Sequence, residues 1–210
     1  IFNKIAQKYL EDNPRKELVL NMFKELEDVL AFSPLSTRES QVGCYPGGYI
    51  EYVNRTFMVA FKLRELWASF DKNINFTDEE LAFSVLMHDL GKVTDGTRAA
   101  YIQSDNAWRK KNLGEIYTYN DELDFMLLQD RSLFVLQNKG IRCSINEFVS
   151  IRVHDGIYED SNKAYFKHYT EDIIFSSQLP HILNQASTTA YTLLRRGKNG
   201  AWNNFNSHSL

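Results

Sequence analysis

The stretch from Leu81 to Met87 constrains the fold more than any other part of the chain. Leu81, Val85, Leu86 and Met87 make it apolar nearly all round, so a helix built from it has no face for solvent and belongs at the centre of the molecule. Thr77-Asp78-Glu79-Glu80, just before it, is a capping-box pattern: the threonine hydroxyl and the glutamate three residues on satisfy backbone donors at a helix start. The helix runs into His88-Asp89-Leu90-Gly91-Lys92, where Gly91 suits a C-terminal stop. Two titratable side chains are thereby delivered to the end of the most apolar helix.

The pattern elsewhere is also helical. Asp12-Asn13-Pro14 offers a cap and a first-turn proline, and Val19, Met22, Phe23, Leu26, Val29 and Leu30 recur at helical spacing, which predicts one helix from about Pro14 to Leu30. A second should start just after Gly48, with Ile50, Val53, Phe57, Ala60 and Phe61 on one side and Leu66 and Trp67 closing it. Asp130 to Asn138 predicts another, ended by Lys139-Gly140. Ser144-Ile145-Asn146-Glu147 is a second capping box, opening a helix through Phe148, Val149 and Ile151 that delivers His154-Asp155-Gly156 at its end. A last helix is expected from about Pro180 to Leu194, followed by a loosely ordered tail over 195–210. The polar and aromatic stretch from Thr94 to Asn120 reads as a long excursion holding one short helix, and no segment shows the alternation of a strand. The expected fold is all-α, a single domain over 1–194 with six or seven helices.

Composition narrows the function. The 210 residues include 43% hydrophobic side chains, enough for one substantial core. With 24 basic and 27 acidic residues the net charge is -3, which gives the chain no electrostatic reason to coat nucleic acid or an anionic membrane. The basic run Trp108-Arg109-Lys110-Lys111 and the later Arg195-Arg196 with Lys198 therefore read as solvated surface. No apolar run approaches the ~20 residues needed to span a bilayer, so a soluble, cytoplasmic protein is expected. Cys44 and Cys143 form no CxxC pair and read as free thiols of a reducing compartment. The 14 Phe, 11 Tyr and 3 Trp leave a protein partner or a homo-oligomer open.

The histidines are 88, 154, 168, 181 and 208, and two of them precede an aspartate at a predicted helix end. Histidine supplies a neutral nitrogen and aspartate a carboxylate, so such a pair on a rigid helix end suits a mono- or dinuclear metal site. His88, Asp89 and His154 are the candidate ligands, with Asp155 or Glu51 as further carboxylates. Lys92 and Arg55 are the candidate cations for a phosphate, and His154 is also a candidate titratable group. Cys44 has no histidine beside it in the chain, so nothing supports a thiol nucleophile.

Leu86-Met87-His88-Asp89-Leu90-Gly91-Lys92, after a buried helix and preceded by Gly47-Gly48 at a second helix start, resembles the HD superfamily of metal-dependent phosphohydrolases. The resemblance covers Gly43 to about Ala190. Asp130-Arg131-Ser132-Leu133, Asn146-Glu147-Phe148 and His154-Asp155-Gly156-Ile157-Tyr158 are similar to HD-domain proteins of tailed bacteriophages, which implies a virus-encoded member. The family resemblance implies His88 and Asp89 as metal ligands and a divalent ion (Mn, Mg, Fe, Zn or Ni) acting on a nucleotide or other phosphorylated small molecule; Lys92 and His154 join them as catalytic candidates on the reading of the residues themselves. It also implies a histidine after Gly47-Gly48 and a late aspartate, and these positions carry Tyr52 and Ser187 instead. A phenol with a reference pKa of about 10 and a serine hydroxyl are poor ligands. The same resemblance therefore implies a rival, a metal-free HD fold serving as a structural or partner-binding module.

Overall fold

The computed structural model describes residues 1–11, 14–166, 175 and 177–197. Ten α-helices lie among them: α1 Phe2–Tyr9, α2 Pro14–Glu25, α3 Glu27–Phe32, α4 Gly48–Phe70, α5 Asp78–Met87, α6 Ala107–Leu113, α7 Leu128–Asn138, α8 Ile145–Val153, α9 Lys163–Phe166 and α10 Leu179–Gly197. The protein is mostly helical. Two strands, β1 Tyr101–Gln103 and β2 Tyr117–Tyr119, pair antiparallel with Tyr101 opposite Tyr119.

α5 occupies the centre, as its composition demands. Every residue from Leu81 to Met87 is fully buried, and α1, α4, α8 and α10 all pack on it. Large apolar side chains removed from water in this way contribute roughly 1.5–3 kcal/mol each before conformational entropy is counted. α10 lies along α4 and α8, and α7 covers the short 3-10 turn Leu90–Lys92 just after α5. The buried apolar side chains form one contiguous cluster running from Phe2 to Leu194.

Both predicted capping boxes are present. The Thr77 hydroxyl accepts from the backbone N–H of Glu80 at 3.0 Å, and the Glu80 carboxylate accepts from that of Thr77 at 3.0 Å. Ser144 and Glu147 repeat the arrangement at 3.2 and 2.7 Å. The two helix starts are also tied to each other, because Ser144 Oγ donates to Glu80 Oε1 at 2.7 Å and Asn146 Nδ2 to the same oxygen at 3.2 Å. Arg15 on α2 clamps the junction, donating to Glu147 and Glu79. With their starts fixed together, α5 (ten residues) and α8 (nine residues) run side by side and end together.

Four expectations are corrected. The single helix from Pro14 to Leu30 is two, because Leu26 adopts φ -96° and ψ 10° between α2 and α3, which lets each piece turn its apolar residues inward. Six or seven helices is too few, since α1, α3, α6 and α9 are short and three of them have no separate signature in the sequence. The excursion holds α6 as expected, but between two strands; at three residues each they are too short for alternation to be visible. The last helix continues past Leu194 to Gly197. The tail expected over 195–210 lies outside the described residues from position 198 onward. Among the described residues no helix is long and apolar enough to cross a membrane.

Candidate metal centre

His88 stands at the C-terminal cap of α5 and His154 at that of α8. The equal reach of the two helices brings the rings together, with centroids 4.8 Å apart and planes nearly perpendicular. Each ring is held by the same bond: Nδ1–H of His88 donates to the Val85 carbonyl at 2.8 Å, and Nδ1–H of His154 to the Ile151 carbonyl at 2.8 Å. A carbonyl only accepts, so both Nδ1 atoms carry a proton, and each ring turns Nε2 toward the cluster.

Both Nε2 atoms face Asp89. His154 Nε2 is 3.1 Å from Asp89 Oδ1, and His88 Nε2 is 3.7 Å from Oδ2. All three side chains are completely buried. Asp89 Oδ2 accepts from Lys92 Nζ at 2.7 Å, a contact set by the turn Leu90–Lys92. Asp155 adds a second carboxylate, its Oδ1 3.5 Å from His154 Nε2, but its side chain is 42% exposed where those of Asp89 and His154 are fully enclosed.

Tyr52 enters from α4. Its hydroxyl lies 3.3 Å from His88 Nε2, which has a lone pair to accept it, and the Thr56 and Ser187 side chains adjoin the phenol. Burial, followed by the charges of Asp89 and Asp155, holds the Tyr52 phenol well above its ordinary value, so it stays protonated. The two positions at which the family resemblance implied ligands thus meet each other beside His88, carrying a phenol and a hydroxyl.

The charges result from burial and contact. Burial pushes His88 down to about 4, Asp89 opposes that, and His154 and Lys92 reinforce it, so its ring is neutral. Burial also works against charge on His154, but Asp89, by charge and hydrogen bond, and then Asp155 outweigh it and raise the ring above its ordinary value. Asp89 is held well below the usual carboxylate range: burial opposes ionisation, and Lys92, His154 and His88 overcome it. The metal-free cluster is therefore a buried carboxylate between an imidazolium and an ammonium, with a neutral imidazole alongside.

His88, Asp89 and His154 can hold a metal ion. Two imidazole nitrogens and one carboxylate oxygen suit a borderline divalent cation. One ligand atom from each lies within 4.8 Å of the others. Bonds of about 2.0–2.2 Å in a tetrahedral site set ligands roughly 3.4 Å apart, so the most separated pair must close by up to about 1.4 Å. The pinned Nδ1 atoms are the outer-shell bonds that such ligands need.

Further bonds fix the backbone around the cluster. Ser132 Oγ donates to the His88 carbonyl at 3.1 Å and accepts from Gly91 N–H at 2.8 Å, while Arg131 Nη1 donates to the Gly91 carbonyl at 3.3 Å. Asn184 Nδ2 donates to the His154 carbonyl at 2.7 Å. The sequence alone marks Arg131 and Ser132 only within Asp130-Arg131-Ser132-Leu133 and gives neither them nor Asn184 a role at the cluster, because each acts on backbone far away in the chain.

Other candidates are placed elsewhere. Arg55 is committed to Glu51, with bonds of 3.1 and 2.9 Å, and Glu51 also accepts from Tyr45, so neither Arg55 nor Glu51 is spent on the cluster. Trp108 is exposed on α6, and Arg109 beside it pairs with Glu115 at 2.9 Å. Neither Cys44 nor Cys143 is in a disulfide, and burial and then Glu147 push the Cys143 thiol up to about 12. His168, Lys198 and His208 lie outside the described residues. No family model matches the chain, no curated protein matches its sequence, and no solved structure matches its fold.

Proposed function

We propose that the chain is an HD-type domain that binds a divalent metal at His88, Asp89 and His154 and hydrolyses a phosphorylated small molecule such as a nucleotide. One observation carries the reading: two histidines from different helices, each fixed through Nδ1 to a carbonyl, turn Nε2 toward one fully buried aspartate. A divalent ion bound there supplies Lewis acidity toward a phosphoryl oxygen and an acidified water. The chain's own residues supply the rest. His88 and His154 stay oriented by their backbone bonds, Lys92 is the cation best placed to meet a phosphate, and Asp155 stands at the open side of the cluster. The test is a phosphohydrolase screen with nucleoside mono-, di- and triphosphates and cyclic nucleotides in the presence of Mn²⁺. Activity should vanish in both His88→Ala and Asp89→Ala, and activity that survives both ends the reading.

A second reading is favoured by Tyr52, whose protonated phenol already occupies His88 Nε2. In it the chain is a metal-free HD fold serving as a structural or partner-binding module. Tyr52→His combined with Ser187→Asp then creates metal binding that the original chain lacks. Tight binding by the original chain rules this reading out.

A further inference from the structure

Asp89 has no free oxygen: Oδ1 faces His154 Nε2 at 3.1 Å and Oδ2 accepts from Lys92 Nζ at 2.7 Å. A metal at His88, Asp89 and His154 needs that carboxylate, and it needs the Nε2 lone pair of His154, whose proton leaves to solvent as the ion binds. A divalent ion and an ammonium on one buried carboxylate repel each other strongly, because little solvent screens them. Of the groups around Asp89, Lys92 is the one with a way out. Its side chain is 21% exposed and unbranched, whereas Asp89 and His154 are fully enclosed. It also has a second anion to go to. Asp155 is the other carboxylate acting on Lys92, and it lines a cavity of about 290 Å³ with Tyr158, Glu159 and Thr188.

We propose that Lys92 is a built-in competitor for the divalent cation: its ammonium holds Asp89 in the metal-free protein, and the ion displaces it toward Asp155 at the cavity. The inference rests on the metal reading above. It assigns to the turn Leu90–Lys92 a second task, keeping the buried carboxylate neutralised until a stronger cation arrives. Displacement leaves the ammonium beside the cavity, facing the carboxylates of Asp155 and Glu159.

The test is calorimetric titration of the full chain with MnCl2, comparing wild type, Lys92→Gln and, as a control for simple loss of charge, Lys62→Gln on the exposed side of α4. Lys92→Gln should bind Mn²⁺ about tenfold more tightly than wild type. Lys62→Gln should stay within about twofold, since its charge is solvent-screened. A wild type that binds Mn²⁺ with Lys92→Gln equal or weaker overturns this inference alone, and so does equal tightening in both variants. No uptake by either wild type or Lys92→Gln overturns the metal reading as well. Wild type supplies a readout independent of substitution: labelling of Lys92 by an amine-reactive ester, read by peptide mass spectrometry, should rise several-fold at saturating Mn²⁺. Unchanged labelling contradicts displacement.

Discussion

His88-Asp89 and His154-Asp155 are the same dipeptide at the ends of two parallel helices, and the histidines are anchored alike through Nδ1, but the aspartates are not placed alike. Asp89 is fully buried and bonded to Lys92 and His154, while the Asp155 side chain is 42% exposed and lies 3.5 Å from His154. The difference lies in the turn immediately after each aspartate. Beyond Asp89, Leu90 and Gly91 are buried under α7, and a side chain on Gly91 would fall 2.2 Å from the Leu128 carbonyl. Beyond Asp155, Gly156 takes φ +60° and the chain turns outward to an exposed Ile157 and Tyr158. A dipeptide therefore does not define a ligand pair. The element packed over the next turn decides which carboxylate becomes part of the interior.

The comparison can be broken most directly at the aspartates. Asp89→Ala leaves the enclosed His154 imidazolium without its closest counter-charge, while Lys92 can turn to Asp155, and should cost about 3–5 kcal/mol. Asp155→Ala removes a half-exposed charge and should cost less than about 1 kcal/mol. Urea denaturation in the presence of chelator measures both, and equal losses would mean that the two carboxylates are not different in kind.

The histidines should separate by pH. The folded value of His88, about 4, lies below its unfolded value of about 6.5, so the unfolded chain binds more protons between them and stability falls as pH drops through that window, by on the order of 3 kcal/mol. His154 is shifted the other way. Its contribution is full below about pH 6.5 and is lost as pH rises through its raised folded value. In chelator, His88→Gln should flatten the acid side of the stability profile and His154→Gln the neutral-to-alkaline side. Two variants with the same profile would contradict the assignment of one neutral ring and one charged ring.

The glycines sharpen the contrast further. Gly91→Ala sets a methyl against backbone atoms of Leu128 and Ser132 and should cost about 2–3 kcal/mol, since neither can yield. Gly156→Ala meets the end of the Asn184 side chain, whose bond to the His154 carbonyl must shift, and strains a left-handed backbone; about 1–2 kcal/mol is expected. A reversed order in thermal unfolding would mean that α7 is free to shift.

Much of this was legible in the chain. The Thr77 and Ser144 capping boxes fixed two helix starts and the apolar run from Leu81 to Met87 fixed the centre, because each is a local effect of side chain on nearby backbone. Gly91 is not the stop that its position suggests, since α5 ends at Met87 and Gly91 lies inside the turn Leu90–Lys92, where the close Leu128 carbonyl leaves no room for a side chain. His88, Asp89 and His154 were legible as candidates, but their meeting was not, since it depends on Glu80, Ser144 and Asn146 aligning two helices far apart in sequence. The recurrence of capping box, short apolar helix and His-Asp at similar spacing was the one signal of that alignment. Arg55 went the other way: its neighbour Glu51, one helical turn back, captures it. The break at Leu26 and the Tyr101–Tyr119 ribbon had no sequence signal, because packing decides the first and three-residue strands carry no period.

The most direct test of the His88–Asp89–His154 centre is metal content by elemental analysis after equilibration with a divalent cation and desalting, with circular dichroism confirming the fold of each variant. Wild type should retain about one ion per chain, and His88→Ala and His154→Ala should retain essentially none, since two remaining ligands bind too weakly to survive desalting. Full retention in a folded His154→Ala would contradict a centre built across the two helix ends.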